Sequence, residues 1–232
     1  MDIKTNILLV EDDYNFGNVI RKNLREFGNE VDHVANGQLA IDRFNNNMYD
    51  LILLDIVIPK KNGYEVAEYI RKKNDKIPII FLTSKSKEED KIKGYMSGGD
   101  AFVTKPFSMQ ELVLRIDVWL KRTRKLHTEK APPVYIGNLL FEYGELRLTD
   151  FHGNTLTILT QKEADLFKFL LDNPNRVLKR EEMLFHIWGK DDYFSGRSMD
   201  VFITKIRKHI SIIHGVELHT HHGVGFEFVM PC

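Results

Sequence analysis

The chain has 232 residues, enough for two domains of ordinary size, and its 43% hydrophobic and 28% charged residues are typical of globular proteins. Basic and acidic residues balance at 33 each, and residues 1–122 and 123–232 are each neutral as well, so overall charge gives no argument for nucleic-acid binding. The single cysteine, Cys232, excludes a disulfide within the chain, and the lack of a signal-like start or a long apolar run predicts a cytoplasmic protein with no membrane partner.

Residues 1–122 alternate short apolar runs with amphipathic segments. Continuous apolar runs suit strands that are covered on both faces, and the amphipathic segments between them suit crossover helices. The predicted strands are 7–10, 30–35, 51–54, 77–82 and 101–103, and the predicted helices lie near 14–27, 37–46, 63–73, 87–96 and 108–122. This order predicts a doubly wound α/β domain built on five parallel strands.

Polar side chains follow these strands where each strand ends: Glu11 and Asp12, Asp55, Thr83, and Lys105. The carboxyl ends of parallel strands share one edge of the sheet, where ligands bind at the switch point of the strand order. Carboxylates that lie close together repel one another when ionised unless a cation compensates their charge. Oxygen ligands that leave space for water suit Mg²⁺. This edge is therefore predicted to hold Mg²⁺ and to leave one carboxylate as a nucleophile toward a phosphoryl group, whose oxygens Thr83 and Lys105 can meet.

This half of the chain resembles the receiver domain of two-component response regulators in four tracts, at 10–13, 54–59, 82–84 and 104–107. The similarity covers nearly all of residues 5–122 and implies a flavodoxin-like fold in which Asp55 accepts a phosphoryl group from a partner sensor histidine kinase. Each residue alone has a simpler interpretation, because Asp12 or Asp13 can cap a helix, Asp55 can belong to a turn and Lys105 can be a surface lysine. Their coincidence on one edge favours the functional interpretation.

The resemblance also implies roles for single residues. The implied metal ligands are Asp12, Asp55, the backbone carbonyl of Val57 and, secondarily, Glu11. Thr83 and Phe102 form the switch pair, in which Thr83 moves toward the phosphoryl group and Phe102 turns inward. Lys105 binds the phosphoryl group, and its bond to Pro106 is expected to be cis.

A homodimer through the receiver is expected at the face of the fourth helix, fifth strand and fifth helix. Its candidate residues are Lys91, Glu111 and Arg115. The family usually has an aspartate where this chain has Ala101, and that aspartate pairs across the dimer with the residue matching Arg115. Ala101 cannot form the pair, so we expect a weakened dimer.

Residues 123–133 are polar, charged and closed by two prolines, as in a linker. Residues 134–232 then form the second predicted domain, of α+β class. Short antiparallel strands are predicted over 134–160, helices at 161–173, 180–188 and 197–210, and a terminal hairpin around Gly223 and Gly225.

The segment 197–210 has two faces. Met199, Ile203, Ile206 and Ile210 recur at helical spacing and form an apolar stripe. The segment also holds four basic side chains and one acidic one, histidine not counted, inside a neutral domain. Such a helix can enter the major groove of DNA, although a basic outer face is more often simply solvated.

The polar side of this helix offers candidate DNA contacts. Lys205 can reach a guanine, Asp200 can accept from a cytosine amine, and Val201 can touch a thymine methyl group. Phosphate contacts suit Arg197, Ser198 and Arg207, which would position the protein without specifying sequence. Thr204 and Lys208 lie on the same side of the helix.

Roughly residues 135–232 resemble the winged-helix effector domain of the OmpR/PhoB family in four tracts, at 159–164, 175–182, 186–189 and 222–226. The resemblance implies binding to double-stranded DNA, with repeated half-sites. His222 stands where the family commonly has the arginine that enters the minor groove, so a weaker wing contact is expected. The loop over 189–196 is a candidate contact for RNA polymerase.

Three histidines near the end of the chain raise the question of zinc. Alternation along a strand puts His219 and His221 on one face and His222 on the other. No cysteine or carboxylate set accompanies them in this tract, so a solvated wing is the favoured interpretation.

These patterns predict a DNA-binding transcriptional regulator that is controlled by phosphorylation of Asp55 and catalyses only phosphoryl transfer to and from that residue. Two alternatives stay open. One is a regulator that binds DNA without needing the phosphoryl group, which the altered dimer face allows. The other is an aspartate-nucleophile phosphatase, which is disfavoured because such enzymes usually need a second acid where this chain has Val57.

Overall fold

The computed structural model describes residues 4–84, 87–128, 132–188 and 196–230. The chain divides into two compact units, Met1–Arg124 and Lys125–Cys232, which are described separately. In the part of the chain described, no helix is long and apolar enough to cross a membrane.

The first unit is built on a parallel sheet in the order β2-β1-β3-β4-β5, which confirms the predicted architecture. Its strands are β1 (Asn6–Val10), β2 (Glu30–Val34), β3 (Leu51–Leu54), β4 (Ile79–Thr83) and β5 (Ala101–Thr104). Its helices are α1 (Tyr14–Glu26), α2 (Gly37–Asn46), α3 (Gly63–Lys73), α4 (Glu88–Met96) and α5 (Met109–Thr128).

The core of this unit explains why its strands are continuous apolar runs. All four residues of β3 and all five of β4 are buried, because helices cover the sheet. One face packs against α1 and α5, whose Leu24, Leu112 and Ile116 join the strand residues in a single apolar cluster. The central strands therefore fix the positions of the polar residues that follow them.

Helix α5 continues to Thr128, so it includes the first part of the predicted linker. The residues from Thr123 to Thr128 are polar except for Leu126, include no glycine or proline, and several are good helix formers. Polarity alone therefore did not predict the end of this helix. The two prolines that suggested the linker lie farther along, at positions 132 and 133.

The second unit begins with an antiparallel sheet in the order β6-β7-β8-β9 and ends with a smaller sheet in the order β10-β12-β11. Its strands are β6 (Val134–Ile136), β7 (Leu139–Glu142), β8 (Arg147–Asp150), β9 (Thr155–Ile158), β10 (Val177–Lys179), β11 (Glu217–His221) and β12 (Gly225–Val229). Its helices are α6 (Gln161–Leu171), α7 (Arg180–Trp188) and α8 (Gly196–Ile210).

Aromatic packing holds the middle of this unit together. The ring of Phe167, on α6, lies 4.9 Å from that of Phe141 on β7 and 5.9 Å from that of Phe228 on β12. Helix α6 thus packs between the two sheets, as the winged-helix expectation requires. Strand β10 was not predicted, because three residues are too short a run to show a period.

Candidate functional site

Three carboxylates meet at the carboxyl edge of the first sheet. Glu11 follows β1 and Asp55 follows β3, and these strands are neighbours in the sheet. Carboxylate oxygens of Glu11, Asp12 and Asp55 lie within 4.8 Å of one another. Glu11 and Asp55 are buried, whereas Asp12 is exposed and can reach both solvent and the pocket. We call this group the acidic pocket.

Lys105, which follows β5, extends into the acidic pocket. Its Nζ lies 2.6 Å from Glu11 Oε2 and 2.6 Å from Asp55 Oδ2. Burial alone would lower the pKa of this ammonium, but its hydrogen bonds to the two carboxylates outweigh burial and raise the pKa above its usual value. The lysine is therefore charged. The predicted cis bond between Lys105 and Pro106 is also present.

The net charge of the acidic pocket suits a divalent cation. Three carboxylates face one ammonium, so two negative charges are uncompensated when all three acids are ionised. Burial, opposed by Lys105, raises the pKa of Glu11. An oxygen-rich pocket with this charge and one solvent-exposed ligand fits the coordination that Mg²⁺ prefers. Glu11, Asp12 and Asp55 are the side chains that could hold the ion.

The Asp55 carboxylate is held at both oxygens. Its Oδ1 accepts a hydrogen bond from the backbone N–H of Val57 at 3.0 Å, and its Oδ2 accepts from Lys105. Helix α3 begins against this turn, where a Cβ on Gly63 would lie 2.3 Å from the backbone oxygen of Asp55. Glycine is therefore needed at position 63 for the helix to approach the phosphoacceptor candidate.

The two predicted switch residues lie on the neighbouring strands β4 and β5. Thr83 is buried at the end of β4, and its carbonyl accepts from the backbone N–H of Lys105 at 2.9 Å. Phe102 is buried, stacked on Phe81 at 5.1 Å and edge-on to Tyr95 at 4.9 Å. This is the inward position that the switch hypothesis assigns to the phosphorylated receiver.

The simpler interpretation applies to Asp13. This residue is the N-cap of α1, and its Oδ1 accepts from the backbone N–H of Phe16 at 3.0 Å. Asp13 therefore stabilises the helix that begins beside the pocket. The sequence also gave no sign of the buried ion pair between Arg71 and Asp100, which is 2.6 Å long and lies at the amino ends of β4 and β5.

The candidate dimer residues lie on α4 and α5. Glu111 and Arg115 are one helical turn apart and form an ion pair of 3.1 Å within α5. Lys91, on α4, is buried, with only 8% of its surface accessible. Both arrangements would have to change, at least in side-chain rotamer, for these residues to pair with a second copy.

The second candidate site is the outer surface of helix α8, which we call the recognition helix. Its apolar stripe is buried as predicted, and Phe202 joins it. Asp200, Thr204 and Lys208 are exposed, while Val201, Lys205 and Arg207 are half-buried. The side chains of Arg197 and Ser198 and the loop over 189–195 lie outside the described residues, so their predicted contacts with DNA and RNA polymerase have no structural description.

Several polar side chains of the recognition helix are engaged inside the domain. Lys205 Nζ lies 2.8 Å from Glu163 Oε1 on α6, and Asp200 Oδ1 lies 2.8 Å from Arg180 Nη2 on α7. Arg207 donates to the carbonyl of Leu218 on β11 at 2.8 Å. These contacts orient the helix against three other elements.

Sequence reasoning missed the internal partners because they are distant in the chain. In the sequence Glu163 is only part of the tract 159–164, whereas in the structure it completes a capping box in which its Oε2 accepts from the backbone N–H of Thr160 at 2.9 Å. Its second carboxylate oxygen holds Lys205. The wing residue His222 is exposed beside Gly223, whose φ of +74° forms the turn between β11 and β12.

Comparisons with known proteins find a match for each half of the chain. The response regulator receiver domain matches residues 7–117, and the C-terminal domain of transcriptional regulatory proteins matches residues 154–228. Over 231 residues the chain is 39% identical to the transcriptional regulatory protein RprY of Bacteroides fragilis, covering 100% of this chain and 97% of that protein. It is 32% identical over 229 residues to the transcriptional regulatory protein SrrA of Staphylococcus aureus, covering 96% and 94%.

Among solved structures, the response regulator DrrB of Thermotoga maritima, described as an OmpR/PhoB homologue, matches with a TM-score of 0.51 and 28% identity, covering 98% of this chain and 100% of that one. The chain therefore belongs to the two-component response regulators of the OmpR/PhoB family, which join a receiver to a C-terminal DNA-binding domain. Its full-length relatives are named as transcriptional regulatory proteins.

Proposed function

We propose that this protein controls transcription in the cytoplasm in response to phosphorylation of Asp55 by a partner histidine kinase, with Mg²⁺ in the acidic pocket. The observation that carries the proposal is the position of the Lys105 ammonium, 2.6 Å from both Asp55 and Glu11. A lysine that follows the edge strand β5 is thereby held beside the buried aspartate of the acidic pocket, which is the group a phosphodonor would have to reach.

The proposed chemistry is transfer of a phosphoryl group to a carboxylate. An oxygen of Asp55 attacks the phosphorus of a phosphohistidine, the O–P bond forms, and the N–P bond breaks with its electron pair leaving on the imidazole. Lys105 exchanges its contact with Asp55 Oδ2 for one with a phosphoryl oxygen, and the Thr83 hydroxyl turns toward another. Mg²⁺, held by the three acids and the Val57 carbonyl, would supply positive charge to the phosphoryl oxygens.

The proposed output is a change in DNA binding. Movement of Thr83 and the inward position of Phe102 would favour one arrangement of the α4–β5–α5 face and so promote pairing of two receivers through Lys91, Glu111 and Arg115. Two DNA-binding domains would then meet repeated half-sites together. The recognition helix would enter the major groove, and His222 on the wing would lie near the minor groove.

Contacts with DNA differ in what they would contribute. Exposed Lys208 can approach phosphates or bases, and Val201 can contact a thymine methyl group. The exposed Thr204 hydroxyl donates to the Asp200 carbonyl at 2.8 Å and can still accept a hydrogen bond. Asp200, Lys205 and Arg207 would first have to leave their internal partners, or would act by holding the helix in place.

A second candidate is a regulator that binds DNA without needing phosphorylation. Two observations favour it: Phe102 lies in the inward position, stacked on Phe81, and Ala101 cannot supply the usual cross-dimer carboxylate. Under this hypothesis the acidic pocket would adjust DNA affinity rather than determine it.

One experiment tests the first proposal and separates it from the second. Incubation with acetyl phosphate and Mg²⁺ is expected to give an acid-stable, base-labile adduct on the wild type and none on Asp55→Asn. Gel mobility shifts with genomic DNA fragments are then expected to show tighter binding of the phosphorylated wild type. Equal DNA affinity with and without the adduct would support the second candidate, and no adduct at all would overturn the first.

A further inference from the structure

The outer face of the wing hairpin carries two histidines and two glutamates. Strands β11 and β12 are antiparallel. Side chains alternate along β11, and Leu218 is buried in the core, so the residues on either side of it point outward. Glu217, His219 and His221 therefore share the outer face. Glu227 of β12 lies directly opposite His219 in the strand register, so its side chain is on the same face.

These four side chains already contact one another in pairs. His221 Nε2 lies 2.7 Å from Glu227 Oε2, and His219 Nε2 lies 2.5 Å from Glu217 Oε2. All four are accessible, with Glu227 the most buried at 24% side-chain exposure and Glu217 the least at 70%. The ring nitrogens that would bind a metal thus point toward carboxylates on an open surface.

We propose that this face binds a divalent transition-metal ion of the Zn²⁺ class through His219, His221 and Glu227, with Glu217 as a fourth ligand. The sequence interpretation disfavoured zinc because it found no carboxylate set beside the histidines. Strand pairing changes this, because it brings Glu227 from β12 next to the two histidines of β11. Two imidazoles and carboxylates form a ligand set that suits Zn²⁺, Ni²⁺ or Cu²⁺ better than Mg²⁺.

Forming the site requires the accessible side chains of both pairs to rotate. Zinc–ligand bonds of about 2.0–2.2 Å in a tetrahedron place ligand atoms about 3.4 Å apart, so each His–Glu pair would open by less than about 1 Å. The ion must also draw the two pairs together, since in the described ranges only the acidic pocket has three such ligand atoms within 4.8 Å.

Titration of the full-length protein tests this site without DNA or phosphorylation, so its outcome is independent of the proposed function. The background variant Cys232→Ser with Asp55→Asn removes the single thiol and one acid of the acidic pocket as competing ligands. Isothermal titration with Zn²⁺ is expected to give one ion per chain. His219→Gln, His221→Gln and Glu227→Gln are each expected to weaken binding roughly tenfold or more.

The matched controls are His152→Gln and His214→Gln, two exposed histidines of the same unit that lie off the wing. Both are expected to bind Zn²⁺ as the parent does. In NMR spectra, the ring signals of His219 and His221 are expected to shift together on addition of one equivalent. No one-to-one binding, or binding that survives the three wing substitutions in a protein with native circular dichroism, would overturn the proposal. If a histidine substitution unfolds the wing, Glu227→Gln decides the test, because it keeps the size and shape of the side chain.

Discussion

At the scale of single residues, the acidic pocket depends on one cation. Lys105 has only 19% of its side chain exposed and compensates two buried carboxylates at once. Loss of its charge would leave Glu11 and Asp55 buried without a positive partner, which is costly even when the fold survives.

We therefore expect Lys105→Met to lower the free energy of unfolding by about 1–3 kcal/mol in the absence of divalent ions. Mg²⁺ is expected to raise the melting temperature of this variant more than that of the wild type, because the ion replaces the missing charge. Thermal melts with and without Mg²⁺ measure both effects. Lys22→Met, at an exposed lysine on α1, is the control; equal Mg²⁺ shifts in all three proteins would contradict the charge argument.

His209 gives a second prediction at this scale. Burial, together with Lys205 and Lys208, lowers the pKa of this histidine below its usual value of 6.5, despite the opposing charge of Glu163. A base whose pKa is lowered by folding contributes stability that is present above the unfolded pKa and is lost as the pH falls toward the folded one.

The second unit is therefore expected to lose stability as the pH falls below about 6.5, by at most about 1.4 kcal/mol per pH unit for this one group. His209→Gln, which cannot titrate, is expected to flatten that dependence. Urea unfolding between pH 5 and 7.5 measures it. The exposed His214→Gln serves as control, and an unchanged slope in His209→Gln would rule out this residue as the cause.

At the scale of elements, the recognition helix is held by ion pairs as well as by its apolar stripe. Lys205 is tied to the nearly buried Glu163, whereas Lys208 is exposed. Two lysines on one helix thus have different surroundings, and the difference separates positioning from contact with DNA.

Lys205→Met is expected to lower the free energy of unfolding by about 1–2 kcal/mol, because it leaves the buried carboxylate of Glu163 without its cationic partner at Oε1. Lys208→Met is expected to leave stability unchanged, to weaken DNA binding at every sequence and to reduce the salt dependence of binding by about one ion. Chemical unfolding and salt-dependent binding assays measure these quantities. If Lys205→Met altered preference at a single base pair with no loss of stability, Lys205 would be a base-reading residue as the sequence suggested.

Helix α4 and strand β5 pack closely against each other at Gly94 and Phe102. A Cβ on Gly94 would lie 2.3 Å from the Cζ atom of the inward Phe102 ring. The clash is with the end of a side chain that can rotate, so the domain should still fold.

Gly94→Ala is therefore expected to drive Phe102 outward and, if the inward ring favours the active arrangement, to weaken DNA binding. The matched variant Gly94→Ala with Phe102→Leu has a smaller side chain at the switch position and should relieve the clash. Ring contacts between Phe102 and Phe81 in NMR spectra report the position of the ring. Retention of those contacts in Gly94→Ala would show that α4 moves instead.

At the scale of the whole molecule, the altered dimer face leads to a prediction about assembly. Ala101→Asp restores the carboxylate that the family pairs with the position of Arg115. We expect this variant, when phosphorylated, to dimerise at lower concentration than the wild type, as measured by analytical ultracentrifugation. Adding Arg115→Ala should remove the gain, and an identical dimer constant for wild type and Ala101→Asp would argue against this face.

Most of the fold was accessible to sequence reasoning, because buried parallel strands and amphipathic helices leave strong patterns. The strands and helices of the first unit fall within two residues of prediction, except for the end of α5. The acidic pocket was found for the same reason, since strand ends must converge at one edge. The contacts of Lys205, Asp200 and Arg207 were not, because pairing between distant elements depends on tertiary packing rather than on local spacing.

Glu163 combines two duties in one carboxylate: one oxygen closes the first turn of α6 and the other holds Lys205. If this recognition helix is transplanted onto a related DNA-binding domain, that domain also needs a glutamate at the position of Glu163. A glutamine at that position would still cap α6 but would not form the ion pair with Lys205. The transplanted recognition helix would then fold without its correct orientation.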